Sequence, residues 1–106
     1  MKIILEFEDK KGKVTTKEFE SVRLKGRAFK QVLEIKDKLS KKTEGEFAEE
    51  DVDELVKAVL IVFGNKFTYD EFYDGVYAED ILPLCRQAQE EIGNRVQSKM
   101  NIIVKN

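Results

Sequence analysis

The segment from Phe67 to Pro83 combines carboxylates with aromatic side chains, and it holds the residues best suited to chemistry. Its sequence is FTYDEFYDGVYAEDILP, with five acidic residues, five aromatic residues and one glycine. Closely spaced carboxylates can ligate calcium or act as a general acid and base. Aromatic side chains at a surface are instead typical of protein-binding hot spots. The spacing of the residues separates these three alternatives.

A calcium loop of the EF-hand type fits this segment poorly. With Asp70 as the first ligand, Asp74 and Gly75 fall at the fifth and sixth positions, as such a loop requires. However, the third position is Phe72, and the twelfth, where a bidentate glutamate is needed, is Ile81. The sequence therefore predicts no metal site in this segment.

The other carboxylate hypotheses are also weak. A pair drawn from Asp74, Glu79 and Asp80 could serve acid–base or glycosidase chemistry, but a small helical scaffold leaves little room for a deep cleft. A second acidic cluster over residues 49–54 falls where a helix is predicted to begin. Negative charge there complements the helix dipole, so a solvated helix start explains the cluster better than a metal site.

The inventory of reactive side chains argues against an enzyme and predicts no cofactor. There is no histidine, which excludes Ser-His-Asp triads and histidine-containing zinc sites, and no P-loop or dinucleotide fingerprint occurs. The single cysteine, Cys85, lies on the apolar stripe of a predicted helix, which is typical of a buried small side chain and not of a nucleophile.

Composition indicates one soluble globular domain. The chain has 106 residues, 42% of them hydrophobic and 38% charged, with a net charge of −2. We expect no nucleic-acid partner, since that would favour a basic face, and no membrane partner, since the longest apolar run covers only residues 58–63. One cysteine and no visible signal peptide favour a reducing, intracellular compartment.

The pattern along the chain predicts a mainly helical α+β fold, with an N-terminal β-hairpin packed on a bundle of three to four helices. The expected elements of this single domain are a hairpin over 1–22, helices over 25–41, 47–63, 68–74 and 78–99, and a tail over 100–106. A polar link over 41–46 joins the first two helices. The final segment, NIIVKN, is expected to be a frayed tail or a short strand.

Local signals support these helix boundaries. Gly64 and Asn65 tolerate the left-handed conformation that stops the second helix. Thr68 and Glu71 match a capping box, which predicts the start of the short helix, and Gly75 is expected to end it. Pro83 is tolerable only near the start of the last helix, because deeper inside it would remove a hydrogen bond.

The run from Val62 to Pro83 resembles the signature region of small tail assembly chaperones from long-tailed, non-contractile phages and prophages of Gram-positive bacteria. In those proteins a helix ending in phenylalanine precedes an F-T-x-D/E-D/E-(hydrophobic)-x-D-G segment, an acidic turn and a final helix. The upstream hairpin and a lysine-rich helix with R-A-F near its start also fit. Tyr77 departs from the Asp or Ser expected as the cap of the last helix.

The resemblance implies a non-enzymatic protein that coats the tape measure protein, keeps it soluble and helps bring tail tube subunits to it. It also implies a location in the cytoplasm of the bacterial host, absence from the mature virion, and weak self-association of many copies. A longer product made by translational frameshifting occurs in many such phages. The alternative is a small phage-encoded adaptor or regulatory module that binds a host protein.

The expected contact surface combines aromatic residues with apolar residues of the second helix that lie outside its core-facing stripe. We expect that the aromatics of so short a segment do not all point into one core and that some remain at the surface. The alternative is that they form a hydrophobic lid over the helix pair. The predicted partner-binding residues are Ile61, Val62, Phe67, Tyr69, Phe72, Tyr73 and Tyr77.

Overall fold

The computed structural model describes residues 1–42 and 46–105, with side chains up to residue 100. The elements are strands β1 (Lys2–Glu8) and β2 (Val14–Glu20) and helices α1 (Gly26–Ser40), α2 (Glu49–Val62), α3 (Tyr69–Gly75) and α4 (Ala78–Lys105). The two strands pair antiparallel, and the helices pack against them and one another. The predicted fold class, a hairpin on a helical bundle, is confirmed.

The hairpin forms because its turn satisfies its own backbone. The Asp9 carboxylate accepts hydrogen bonds from the Lys11 and Lys13 amides at 2.8 and 2.9 Å, and Gly12 adopts a positive φ of 81°. This register places Ile3 opposite Phe19. Alternation along β1 then turns Ile3 and Leu5 into the core, while Ile4 faces outward.

Helix α2 is the centre of the core, as its apolar sequence predicts. Seven of its fourteen residues are buried, and it packs against α1, α3 and α4. The helix stops where Gly64 and Asn65 take positive φ values of 66° and 56°. The amide of Val22 donates to the Val62 carbonyl at 3.0 Å, which ties the link after the hairpin to this helix end.

Gly75 ends α3 against the backbone of β1. Its φ is not in the left-handed region, so conformational freedom is not the reason for glycine at this position. A Cβ atom at Gly75 would lie 2.7 Å from the Glu6 carbonyl oxygen and 3.2 Å from the Leu5 Cβ. Glycine therefore allows α3 to approach the strand closely.

Helix α4 is longer than predicted. The expected tail over residues 100–106 is instead helical through Lys105, and only its last residue lies outside the described chain. No glycine or proline follows Gly93 to stop the helix, and extending a formed helix costs far less than nucleating one. The weaker helix propensity of the isoleucines and valine near the end is therefore insufficient to end α4.

The length of α4 gives the molecule its elongated shape. Its 28 residues correspond to about 42 Å, and the whole chain measures 58 × 30 × 22 Å. Pro83 is the sixth residue of α4, so its missing amide affects only the first turns. The last buried residue described in α4 is Ile92, and the helix continues well beyond it.

The predicted polar link over 41–46 includes residues 43–45, which lie outside the described residues.

Among the described helices, none combines the length and apolar character that a membrane span needs.

Candidate functional site

The segment from Phe67 to Tyr77, here called the α3 corner, is built on the predicted capping box. The Thr68 hydroxyl accepts from the Glu71 amide at 3.1 Å, and the Glu71 carboxylate accepts from the Thr68 amide at 2.9 Å. These bonds satisfy two amides at the start of α3. The acidic residue at this position is therefore structural, as the sequence predicts.

Three of the seven predicted contact residues belong to the core. Val62 and Phe72 are fully buried, and Phe67 is nearly so. The Phe67 ring lies 5.1 Å from Phe19, 5.6 Å from Phe63 and 6.1 Å from Phe72, measured between ring centroids. These contacts join α2, α3 and the hairpin, so Val62, Phe67 and Phe72 are not part of an exposed surface in this fold.

The remaining predicted residues are divided between two places. Ile61 and Tyr73 are half-buried and pack against the core. The Tyr73 hydroxyl donates to the Asp53 carboxylate at 2.6 Å. Burial and this hydrogen bond both raise the pKa of Tyr73. The pKa of neighbouring Tyr69 is also raised, by burial and by the charges of Glu54 and Asp53.

Tyr77 lies on a different side, next to the outer face of the hairpin. Its side chain is 62% exposed and borders a shallow depression that Ile4, itself 60% exposed, also lines. A hydrogen bond to the Glu6 carboxylate raises the pKa of Tyr77. The α3 corner thus presents Tyr69 and Tyr77 at its surface and keeps its phenylalanines inside.

The other candidate reactive groups have structural surroundings. Cys85 is buried, and burial raises the pKa of its thiol to about 12, so the thiolate is scarce at neutral pH. Asp51 accepts from the Lys42 ammonium at 2.9 Å and from the Ala48 amide, and these bonds lower its pKa. Within the described residues, no three carboxylate or thiol side chains gather as a metal site.

A second region has the character of a binding site. An open groove of about 940 Å³ runs between the start of α1 and the C-terminal half of α4; we call it the α1–α4 groove. Its lining includes the apolar side chains of Met1, Leu24, Phe29, Ile92, Val96 and Met100. All of these except Ile92 remain partly or largely exposed, and Met100 is 52% exposed.

A polar network holds one end of the α1–α4 groove in place. The Glu91 carboxylate accepts from the Met1 ammonium at 2.6 Å and from the Arg95 guanidinium at 2.8 Å. Arg95 also donates to the Ser21 hydroxyl and the Val22 carbonyl. Although burial alone would raise the pKa of Glu91, the hydrogen bonds from Met1, Arg95 and Ser21 lower it. The network fixes α4 to the segment that leads into α1.

The α1–α4 groove was not predicted from the sequence, because the last helix was expected to end at residue 99. Met100 follows Val96 and Ile92 at intervals of four, a spacing that continues the apolar stripe of α4 past the core. Leu24, an isolated apolar residue between Arg23 and Lys25, was the second available signal. Neither signal shows that the two segments meet, since the contact depends on tertiary packing.

Comparison with known proteins identifies the family. The family described as "Phage tail chaperone protein" matches residues 1–103, which is nearly the whole chain. No match was found among curated proteins or among solved structures. The match agrees with the resemblance carried by the segment from Val62 to Pro83. The chain therefore belongs to the phage tail chaperone family.

Proposed function

We propose that this protein is a non-catalytic chaperone that binds the tape measure protein of a phage tail, keeps it soluble, and helps recruit tail tube subunits. It acts in the cytoplasm of the bacterial host and leaves before the virion matures. Membership of the tail chaperone family supports a role in tail assembly. We choose the α1–α4 groove as the binding surface because it is open and largely apolar.

The groove suits one helix of a partner. Its apolar side chains come from two walls, the segment that leads into α1 and the part of α4 up to Met100, which together can cover a helix stripe. Burying those partly exposed side chains, including Val96 and Met100, gives a favourable free energy without any nucleotide hydrolysis. Binding then protects the partner by mass action until tube assembly displaces the chaperone.

Recruiting tube subunits requires a second surface that stays free while the groove is filled. The exposed tyrosines of the α3 corner supply it, Tyr69 on the side of α2 and Tyr77 on the side of the hairpin, where Ile4 is also exposed. Tyrosine combines a large apolar ring with a hydrogen-bonding hydroxyl and is enriched at interfaces. We assign this surface to the tube protein, which narrows the seven residues expected from the sequence to the two exposed tyrosines.

Many copies are expected on each tape measure chain. Weak contacts at successive helix stripes, reinforced by weak contacts between neighbouring copies, would give a stable but reversible coat through multivalency. Through this arrangement a chain with a net charge near zero would solubilise a much longer partner.

Co-expression with the tape measure protein of the same phage tests the proposed function. We expect the tape measure protein to become soluble and to elute with the chaperone in gel filtration. The variant Val96→Gln/Met100→Gln should lose this effect, whereas Val14→Gln/Leu33→Gln, which alters exposed apolar residues outside the groove, should keep it. A tape measure protein that is equally insoluble with and without the chaperone would overturn the proposal.

A further inference from the structure

We propose that the α1–α4 groove selects an amphipathic helix whose apolar stripe is flanked by acidic side chains. This inference rests on the proposed function, because it specifies the chemistry of the segment that the chaperone binds. Two features of the groove support the inference: its floor is apolar, and its walls carry basic side chains.

The apolar floor dictates an amphipathic helix as the occupant. Leu24 and Phe29 on one wall and Val96 and Met100 on the other leave apolar surface facing the groove, with Ile92 beneath. An extended strand would bring backbone amides and carbonyls over this floor, where the apolar lining offers them few partners. A helix satisfies its own backbone and presents only side chains.

The walls of the groove add positive charge. Arg23 and Lys99 line it, are exposed, and form no ion pair with any other residue of the described chain. Arg95 also lines it and is already engaged by Glu91, Ser21 and Val22. The lining contains two acidic residues. One of them, Glu91, is ion-paired with the Met1 ammonium and the Arg95 guanidinium, which leaves Glu90 as the opposing charge.

This positive character is local, since the whole chain has a net charge of −2. Residues 23–42, which begin at the groove and form α1, contain eight basic and two acidic residues. Residues 49–80, which form α2, α3 and the start of α4, contain ten acidic and two basic residues. A partner with acidic flanks is therefore attracted to the groove wall and repelled from the α2–α3 side.

Two synthetic helical peptides test the inference directly. Each has about 20 residues, roughly 30 Å of helix, with the same leucine stripe, flanked by glutamates in one peptide and by lysines in the other. Calorimetric titration of the full chain should show the glutamate peptide binding on the order of tenfold more tightly at low salt. The difference should shrink at 1 M salt, where the Debye length falls to about 3 Å.

Charge reversal in the groove supplies the matched control. Arg23→Glu/Lys99→Glu should remove or invert the preference, whereas Lys11→Glu/Lys13→Glu, an equal charge change in the hairpin turn, should preserve it. Equal affinity for the two peptides, or a preference that survives Arg23→Glu/Lys99→Glu, would overturn the inference. Circular dichroism of each variant shows that the helices remain formed.

Failure of the charge selectivity and failure of the proposed function give different results. If the tape measure protein is solubilised but the peptides bind without charge preference, the charge selectivity fails and the chaperone role stands. If the glutamate peptide binds in the groove but the tape measure protein stays insoluble, the selectivity stands and the tape measure is not the partner.

Discussion

The α3 corner and the α1–α4 groove contain similar apolar and aromatic residues but use them in opposite ways. In the α3 corner, a short helix is held between α2 and β1, and its phenylalanines complete the core. In the groove, a long helix continues past the core, and no other described element covers its apolar side chains. Apolar residues become a binding surface where the fold supplies no internal partner for them.

The difference follows from how each region is anchored. The α3 corner is fixed by its capping box, by the close approach of Gly75 to Glu6, and by the Phe67 ring contacts. Among the described residues, the groove is anchored by the network around Glu91 and Arg95. Beyond that network Val96 is only half-buried and Met100 is exposed, so these two side chains remain available to another molecule.

The largest expected effect separates core from surface within the α3 corner. Phe72→Ala should lower the free energy of unfolding by about 3–5 kcal/mol, because it empties a fully buried site. Tyr69→Ala, three positions earlier and 38% exposed, should cost less than about 1 kcal/mol. Urea unfolding followed by circular dichroism measures both. Similar losses for the two variants would show that the corner is not divided in this way.

Two glycines provide the next comparison. Gly75→Ala should destabilise the protein by about 3 kcal/mol, because the new methyl group would collide with the Glu6 backbone. Gly93→Ala, at an exposed position of α4 between Glu91 and Arg95, has open space around the added carbon and should stabilise the protein by about 0.5–1 kcal/mol. Thermal unfolding of the two variants shows whether each substitution raises or lowers the stability of the protein. A stabilising Gly75→Ala would contradict the close packing of α3 on β1.

Acid should weaken the anchor of the groove. Since the folded state lowers the pKa of Glu91 below its ordinary value of 4.5, this carboxylate stabilises the fold above that pH, and the stabilisation is lost as pH falls through the lowered pKa. Glu91→Gln should cost about 1–2 kcal/mol at pH 7 and flatten the acid side of the stability curve. Unfolding measured between pH 7 and pH 3 tests this. An unchanged curve in the variant would remove Glu91 from the anchor.

The smallest predicted effect concerns the hydroxyl of Tyr73. Tyr73→Phe removes one hydrogen bond to Asp53 and should cost about 0.5–1 kcal/mol, since Asp53 can be solvated by water. Asp53→Ala removes the acceptor and offers the reciprocal test, with a cost in the same range. A loss several times larger in either variant would mean that α3 depends on this bond more than on its phenylalanines.

Much of the fold could be predicted from the sequence because its signals are local. The alternation of Ile3 and Leu5, the Thr68–Glu71 capping box and the Gly64–Asn65 stop each determine their conformation within a few residues. The family resemblance of the Val62–Pro83 run is likewise a local pattern, and the family match covers it.

The candidate site was less predictable because it depends on contacts between distant segments. The sequence cannot show that Phe67 and Phe72 share a core with Phe19, so both remained candidates for the surface. Nor can it show that Leu24 and Met100 lie in the same groove, since 75 residues separate them and the predicted end of α4 excluded Met100.

The central claim, that the groove and not the α3 corner binds the tape measure protein, is tested by titrating two double variants against it. Val96→Gln/Met100→Gln removes two apolar side chains that are already partly buried, so each loses part of the roughly 1.5–3 kcal/mol of full burial, and affinity should fall about tenfold. Tyr69→Gln/Tyr77→Gln should change affinity less than about twofold and impair tube recruitment instead. Full affinity in the groove variant together with a large loss in the tyrosine variant would contradict the assignment.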